Sequence, residues 1–402
     1  PEADRSMRWA STVSDQPTLE QAVEQCVSTI RNDLEQTTPD LAVAFVSFHH
    51  AAEYDSVPGL VREALGARVL IGCSAGGVIG GGREVEHRPG FALTVAQLPG
   101  VELSAVHMEG GDLPNADASP GAWEEVIGIA PQQQPYFIVL ADPFTFPAVD
   151  FIAGLDYAYS GSVKVGGMAS GATQPGNNVL YLNDKAYRSG TVYIAMHGDL
   201  VVDTIVAQGC RPIGKPMQVT RSEGNLLLEL DDEPPIHVLQ HLIAVLDERD
   251  QELARHSLFL GVMMDELLEH PSQGDFLIRN IIGGNPSNGT LSIGELLREG
   301  QTVQFHLRDA RTSSEDLDML LTRYSHGFEA VPNQGALLFS CLGRGEYLYG
   351  HPDHDTNLFR DRVGSLPLGG FFCNGEIGPV GGDTFLHGYT SSFAIFRPKA
   401  RA

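Results

Sequence analysis

The chain has 402 residues, 42% hydrophobic and 8% aromatic, a composition that builds folded cores and excludes wholesale disorder. That length exceeds one typical core, so two domains are expected. Acidic residues outnumber basic ones 51 to 26, for a net charge of −25. This excludes the basic surfaces that bind nucleic acid or anionic lipid without specificity. No apolar run approaches the roughly 18 residues that a membrane helix needs.

In chain order, Thr18 with Gln21 three residues on forms a capping-box pattern that opens a helix over 18–35. Its stripe holds Leu19, Ala22, Val23, Cys26, Val27, Ile30 and Leu34, which makes Cys26 a core residue. A buried strand follows at 41–46, then a helix over 57–65 stopped by Gly66. A strand at 68–71 runs into Gly72-Cys73-Ser74-Ala75-Gly76-Gly77. Strands at 91–98 and 102–108 close this module. The order then repeats: strand 136–140, helix 149–159, and strand 163–165 into Gly166-Gly167-Met168-Ala169-Ser170-Gly171. Strands at 191–196 and 200–207 follow.

Asp231-Asp232-Glu233-Pro234-Pro235 is charged and proline-rich and marks a boundary. It divides the chain into domains 1–235 and 236–402. After a helix over 236–246 come strands at 258–263, 276–282 and 302–307 and a helix over 315–324. The last module has strand 336–341, helix 357–363, the glycine segment Gly369-Gly370-Phe371-Phe372-Cys373-Asn374-Gly375-Glu376, and strand 389–396. Strand–helix–strand order implies local parallel pairing, and the strand pairs that follow imply hairpins. The expected fold is α/β, mixed α+β, with two domains of repeated strand–helix–strand modules, two modules each. Mixed sheets would be covered by helices, and ligand would bind beyond the carboxyl ends of strands.

Five cysteines, Cys26, Cys73, Cys210, Cys341 and Cys373, lie far apart with no CxxC pair. A disulfide framework or structural zinc is therefore not expected, and a reducing cytoplasm fits. His351-Pro352-Asp353-His354-Asp355 carries metal-capable side chains but in the pattern of a solvated loop. Neither a metal nor a cofactor is expected.

The first and third glycine segments, with Phe385-Leu386-His387-Gly388-Tyr389-Thr390, Cys341-Leu342-Gly343-Arg344-Gly345, Arg279-Asn280-Ile281-Ile282-Gly283, His306-Leu307-Arg308-Asp309-Ala310 and Gln208-Gly209-Cys210-Arg211-Pro212-Ile213-Gly214, resemble the FIST family. The likeness spans an N-terminal and a C-terminal FIST domain and nearly the whole chain. It implies a sensory module for a small ligand, with amino acids the proposed class. The two domains are expected to leave no room for a kinase, methyl-accepting, cyclase or F-box segment, so an output partner, if any, would be another chain. A homo-oligomer is compatible with this reading.

Gly72-Cys73-Ser74-Ala75-Gly76 also matches the GxSxG nucleophile elbow, which needs a helix directly after the serine. The glycines that follow Ser74 are poor helix formers. Setting Gly167 against Gly72 also places Ala169 opposite Ser74, which favours backbone geometry over a nucleophile. The third segment is richer in chemistry. Arg344 and glycine N–H groups could hold a carboxylate and Glu376 an amine, among Cys373, Asn374, Gly375, His387 and Tyr389. The alternative is a structural Arg344–Glu376 ion pair. Cys73, Ser74 and Arg211 are secondary candidates, with Arg211 at a module junction. The favoured function is a small-ligand sensor rather than an enzyme. The rivals are a hydrolase using Cys373 or Ser74 and a non-catalytic scaffold.

Overall fold

The computed structural model describes residues 6–328 and 333–400. The chain forms two compact units: one of residues up to Val206 together with those from Leu320 on, the other Ala207–Met319.

The first unit begins with β1 (Arg8–Ser14), α1 (Leu19–Asp33), β2 (Leu41–Ser47), α2 (Val57–Leu65), β3 (Val69–Ala75), the hairpin β4 (Gly77–Gly80) and β5 (Arg83–Glu86), and β6 (Phe91–Gln97). The same succession follows as β7 (Val101–Met108), α3 (Pro120–Ile127), β8 (Tyr136–Ala141), α4 (Ala148–Ala158), β9 (Lys164–Met168), the hairpin β10 (Leu180–Leu182) and β11 (Lys185–Tyr187), and β12 (Thr191–Gly198). β13 (Leu200–Ala207) opens a third copy.

The second unit is inserted there. It holds β14 (Cys210–Pro212), β15 (Met217–Glu223), β16 (Leu226–Leu230), α5 (Pro235–Ala244), α6 (Glu248–Ala254), β17 (Leu258–Met263), β18 (Phe276–Asn285), β19 (Thr290–Ile293) and β20 (Thr302–Arg308). α7 (Ala310–Gly327) leads back to the first unit. The third copy then finishes with β21 (Gly335–Cys341), α8 (Gly345–Tyr349), α9 (His354–Val363), β22 (Leu368–Cys373), the hairpin β23 (Glu376–Val380) and β24 (Asp383–His387), and β25 (Ser391–Pro398).

Each copy makes a sheet of one order. The sheets run β1-β6-β2-β3, β7-β12-β8-β9 and β13-β25-β21-β22, with the pairs β2–β3, β8–β9 and β21–β22 parallel. Each sheet is completed by the hairpin of another copy. β10–β11 joins β3, β4–β5 joins β22, and β23–β24 joins β9. The exchange therefore closes in a ring of three.

Strand alternation sorts the side chains. Val43, Phe45, Ile71, Ile138, Leu140, Val165, Leu337, Phe339 and Phe371 face one core shared by the three sheets. Ala42, Ala44 and Leu70 pack with the Val23, Val27 and Val61 side of α1 and α2, and Phe137 and Val139 with Phe151 and Leu155 of α4. Thr18 caps α1 by accepting from Gln21 N at 3.3 Å, and Cys26 is buried on its apolar stripe.

Several expectations need correction. The glycine segments are not turns at their start; strands β3, β9 and β22 run through them. Gly72, Gly166 and Gly370 stand opposite Ala44, Val139 and Leu338, and a Cβ at any of the three would overlap that residue's carbonyl oxygen. This register sets Gly166, not Gly167, against Gly72, so Met168 and Phe372 occupy the position of Ser74. The expected two modules per domain are instead three copies in one unit. The strands at 258–263, 276–282 and 302–307 belong to no such copy. They lie in an antiparallel sheet whose strands run β20-β15-β16-β19-β18-β17, and β17 also pairs with β20, closing a barrel around Leu227, Leu260, Val303 and Phe305. Residue 235, the expected boundary, lies within this inserted unit.

Candidate ligand-binding site

The three glycine segments converge. Ser170 N donates to Ser74 O (3.1 Å), Asn374 N to Met168 O (3.0 Å) and Met168 N to Gly375 O (2.9 Å). The Ser170 hydroxyl accepts from Gly76 N at 2.9 Å and donates to Phe372 O, so one side chain ties all three copies.

The third segment, singled out in the sequence, forms a buried network. Arg344 is fully buried; its Nε donates to Asp355 Oδ2 at 2.9 Å and its Nη2 to Asp355 Oδ1 at 3.2 Å and to Tyr349 Oη at 2.6 Å. Asp355 also accepts from Ser391 Oγ (2.6 Å) and His354 Nδ1 (2.9 Å). Burial works to raise the Asp355 carboxyl, but Arg344, His354 and Ser391 override it and hold it well below the usual carboxylate range. The carboxylate expected from a ligand at Arg344 is thus supplied by the chain, and the ion-pair partner is Asp355 rather than Glu376.

Glu376 is fully buried and is the cross-strand neighbour of His387. Its Oε2 accepts from Thr390 N (3.2 Å) and Thr390 Oγ1 (2.9 Å). Burial pushes its carboxyl up to about 8, against the Thr390 donors and Arg344. His387 Nε2 donates to Gly378 O at 3.0 Å. Cys373 is buried opposite Cys341, and burial pushes its thiol well above the ordinary value. Asn374 is exposed, and Gly375 and Tyr389 are half-buried.

The secondary candidates are also structural. Cys73 is buried with its thiol raised in the same way. The buried Ser74 hydroxyl donates to Asn178 Oδ1 (2.9 Å) and accepts from Val179 N (3.0 Å), and strand β4 rather than a helix follows it. Neither is placed as a nucleophile. Arg211 forms a two-pronged ion pair with Asp250 inside the inserted unit.

An open pocket of about 590 Å³ lies elsewhere, at the carboxyl ends of β2 and β3. The 3₁₀ segment Phe48–Ser56 after β2 supplies Phe48, Ala51 and Tyr54, and Gly76 follows β3. The second copy supplies Ser170 to Thr173, Gly176 and Asn177 from the loop after β9, and Arg188 after β11. Tyr54 is 2% exposed, and Tyr181 Oη donates to its backbone carbonyl at 2.9 Å. The Tyr54 hydroxyl lies close to Ser74, whose Oγ is already bonded to Asn178 and Val179. It has no partner in hydrogen-bonding geometry among the described residues. Burial pushes the phenol up to about 12, so it remains a proton donor. Arg188 Nη2 donates to Asp55 Oδ1 at 2.9 Å and its guanidinium lies 6.0 Å from the Tyr54 ring centroid. Arg188 Nη1 is buried without a partner among the described residues.

The strand-end rule predicted a site of this kind, but no local pattern marked Tyr54 or Arg188. Arg188 reaches the pocket only because β10–β11 crosses into the first copy's sheet.

Comparison with known proteins gives consistent relatives. The FIST N domain model matches residues 40–233 and the FIST C domain model residues 235–379. An uncharacterized protein of Mycobacterium tuberculosis is 35% identical over 392 residues, 97% of this chain and all of that one. One of Mycobacterium bovis is 34% identical over 97% of this chain and 99% of its own length. An F-box/LRR-repeat protein of Arabidopsis thaliana is 26% identical over 176 residues, 38% of this chain and 33% of that one. A solved structure of a cyanuric acid hydrolase from A. caulinodans covers 98% of the chain at 9% identity with a TM-score of 0.39, too low to carry an argument.

Proposed function

The chain belongs to the FIST family, carrying both its N and C domains, and from that premise we propose that it is a sensory protein that binds a small polar metabolite of amino-acid size and signals through a separate partner chain. FIST domains are described as sensory, small-ligand-binding modules of signal transduction and are not known as enzymes.

The observation that carries this reading is the strand-end pocket. Its volume of about 590 Å³ falls in the range of small-molecule sites, and it is lined by Tyr54 and Arg188, whose Oη and Nη1 have no partner in hydrogen-bonding geometry among the described residues. Its walls come from two copies of the repeat, so an occupant would bridge them and bias their arrangement. A partner protein or a second copy of the chain would read that change. The five cysteines are all free, which supports a reducing, cytoplasmic setting.

The third glycine segment supports a second placement of the ligand, because Arg344 Nη1 and Glu376 Oε1 are both buried without partners among the described residues. A thermal-shift screen of the intact chain over amino acids and small carboxylates tests the sensor reading. A stabilising ligand is expected, and its shift should vanish in Arg188→Ala. A shift that survives there but is lost in Glu376→Gln would move the site to the third segment. A cooperatively folded protein that responds to no compound in the screen overturns the sensor.

A further inference from the structure

Resting on the pocket reading above, we propose that the ligand is a small organic carboxylate without an ammonium group, held by Arg188 and Tyr54. Among the residues that line the pocket, Arg188 is the one charged side chain, and no aspartate or glutamate is present. In a chain of net charge −25, a cation lining a pocket that has no acid of its own is a selective element rather than a reflection of the average surface.

The donors match that chemistry. Asp55 holds Arg188 Nη2 and the Tyr54 ring lies beneath the guanidinium, so the arginine is oriented and Nη1 is left over. The Tyr54 hydroxyl is the second donor, on a side chain that is 2% exposed; it lies beside Ser74 without a partner in hydrogen-bonding geometry among the described residues. A carboxylate presents two acceptor oxygens and can satisfy both. The site also needs a glycine at 171, since a Cβ there would stand 2.8 Å from Tyr54 Oη and 2.9 Å from Ser74 Oγ. Thr173 and Asn177 line the pocket and offer neutral groups for a keto or hydroxyl oxygen.

An α-ammonium would meet none of this. It would lose hydration beside Arg188 and find no carboxylate among the lining residues, the Asp55 carboxylate being already engaged by Arg188. The pocket therefore selects a keto or hydroxy acid over the amino acid of the same skeleton.

Titration calorimetry on the intact chain with matched pairs tests this: 2-oxoglutarate against L-glutamate and pyruvate against L-alanine. At least one acid is expected to bind about tenfold or more tightly than its amino counterpart. Arg188→Gln should weaken that binding at least about tenfold, and Tyr54→Phe by less. Arg188→Lys, which keeps the charge but loses the fork, should fall between wild type and Arg188→Gln. An amino acid that binds as tightly as its keto acid, or keto-acid binding indifferent to Arg188→Gln in a folded variant, overturns the proposal and leaves the sensor standing. If none of the four binds and the wider screen yields only ligands that are not carboxylates, the class is likewise wrong. If nothing binds in either experiment, both readings fall.

Discussion

Three buried carboxyl groups, Asp355 and Glu376 in the third copy and Glu84 on the hairpin that the first copy adds to its sheet, face the same low-dielectric surroundings and respond in opposite directions. Asp355 has a guanidinium at 2.9 Å and stays ionised. Glu376 has neutral donors from Thr390, and burial raises its carboxyl to about 8. Glu84 is raised to about 8 as well, by burial and by the negative charge of Asp355. A carboxyl whose folded value is raised stabilises the fold while it holds its proton. That contribution is complete below the unfolded value and is lost as the pH rises through the folded one. The thermal midpoint is therefore expected to decline from about pH 5 to about pH 8. Glu376→Gln should make the decline shallower, and adding Glu84→Gln should make it shallower still. Melting curves across that pH range decide the matter, and an unaltered slope in the double variant would refute the assignment. Asp355 acts in the opposite sense: its contribution is present above the unfolded value and is lost as the pH falls through the folded one.

At the scale of elements, the exchanged hairpins hold the first unit together. Glu84 on β5 accepts from Asp353 N and Thr356 N, each at 3.1 Å, and so caps α9 from a different copy. Glu86 on the same strand accepts from Glu346 N at 2.9 Å in α8. The glycines of β3, β9 and β22 let each parallel pair approach closely enough for such crossings. Gly370 combines a φ of +143° with a carbonyl oxygen where its Cβ would stand. Gly370→Ala is therefore expected to destabilise by more than about 3 kcal/mol, or to prevent folding. Gly381→Ala, in the open tip between β23 and β24 at φ +63°, should cost only about 1 kcal/mol. Denaturant unfolding of the two variants compares them directly, and equal losses would contradict the close-approach argument.

For the whole molecule, the path of the chain determines which pieces can stand alone. The insert Ala207–Met319 contains a closed barrel with its own core, so expressed alone it should unfold cooperatively. A fragment of residues 1–235 should not. It would lack β21, β22 and β25, and β9 would lose its partner hairpin β23–β24. Circular dichroism with thermal melts of both fragments tests this, and a cooperative transition in 1–235 would overturn it. The sequence division at 235 thus coincides with a family boundary while compactness follows another line.

Apolar periodicity and capping determined α1, the parallel pairs and their crossover helices, because these depend on residues near one another in the chain. The glycine repetition and the FIST likeness were legible for the same reason. Burial of Cys26 followed from its helical stripe. Hairpin exchange, barrel closure and the convergence of the three segments depend on contacts between residues tens to hundreds of positions apart, which no local pattern encodes. The same holds for the site. Arg344 and Glu376 stood out by residue type, but type could not say that Asp355 would take the guanidinium. Tyr54 and Arg188 look ordinary in sequence. Only the crossing of β10–β11 into the neighbouring sheet brings them to the wall of one pocket.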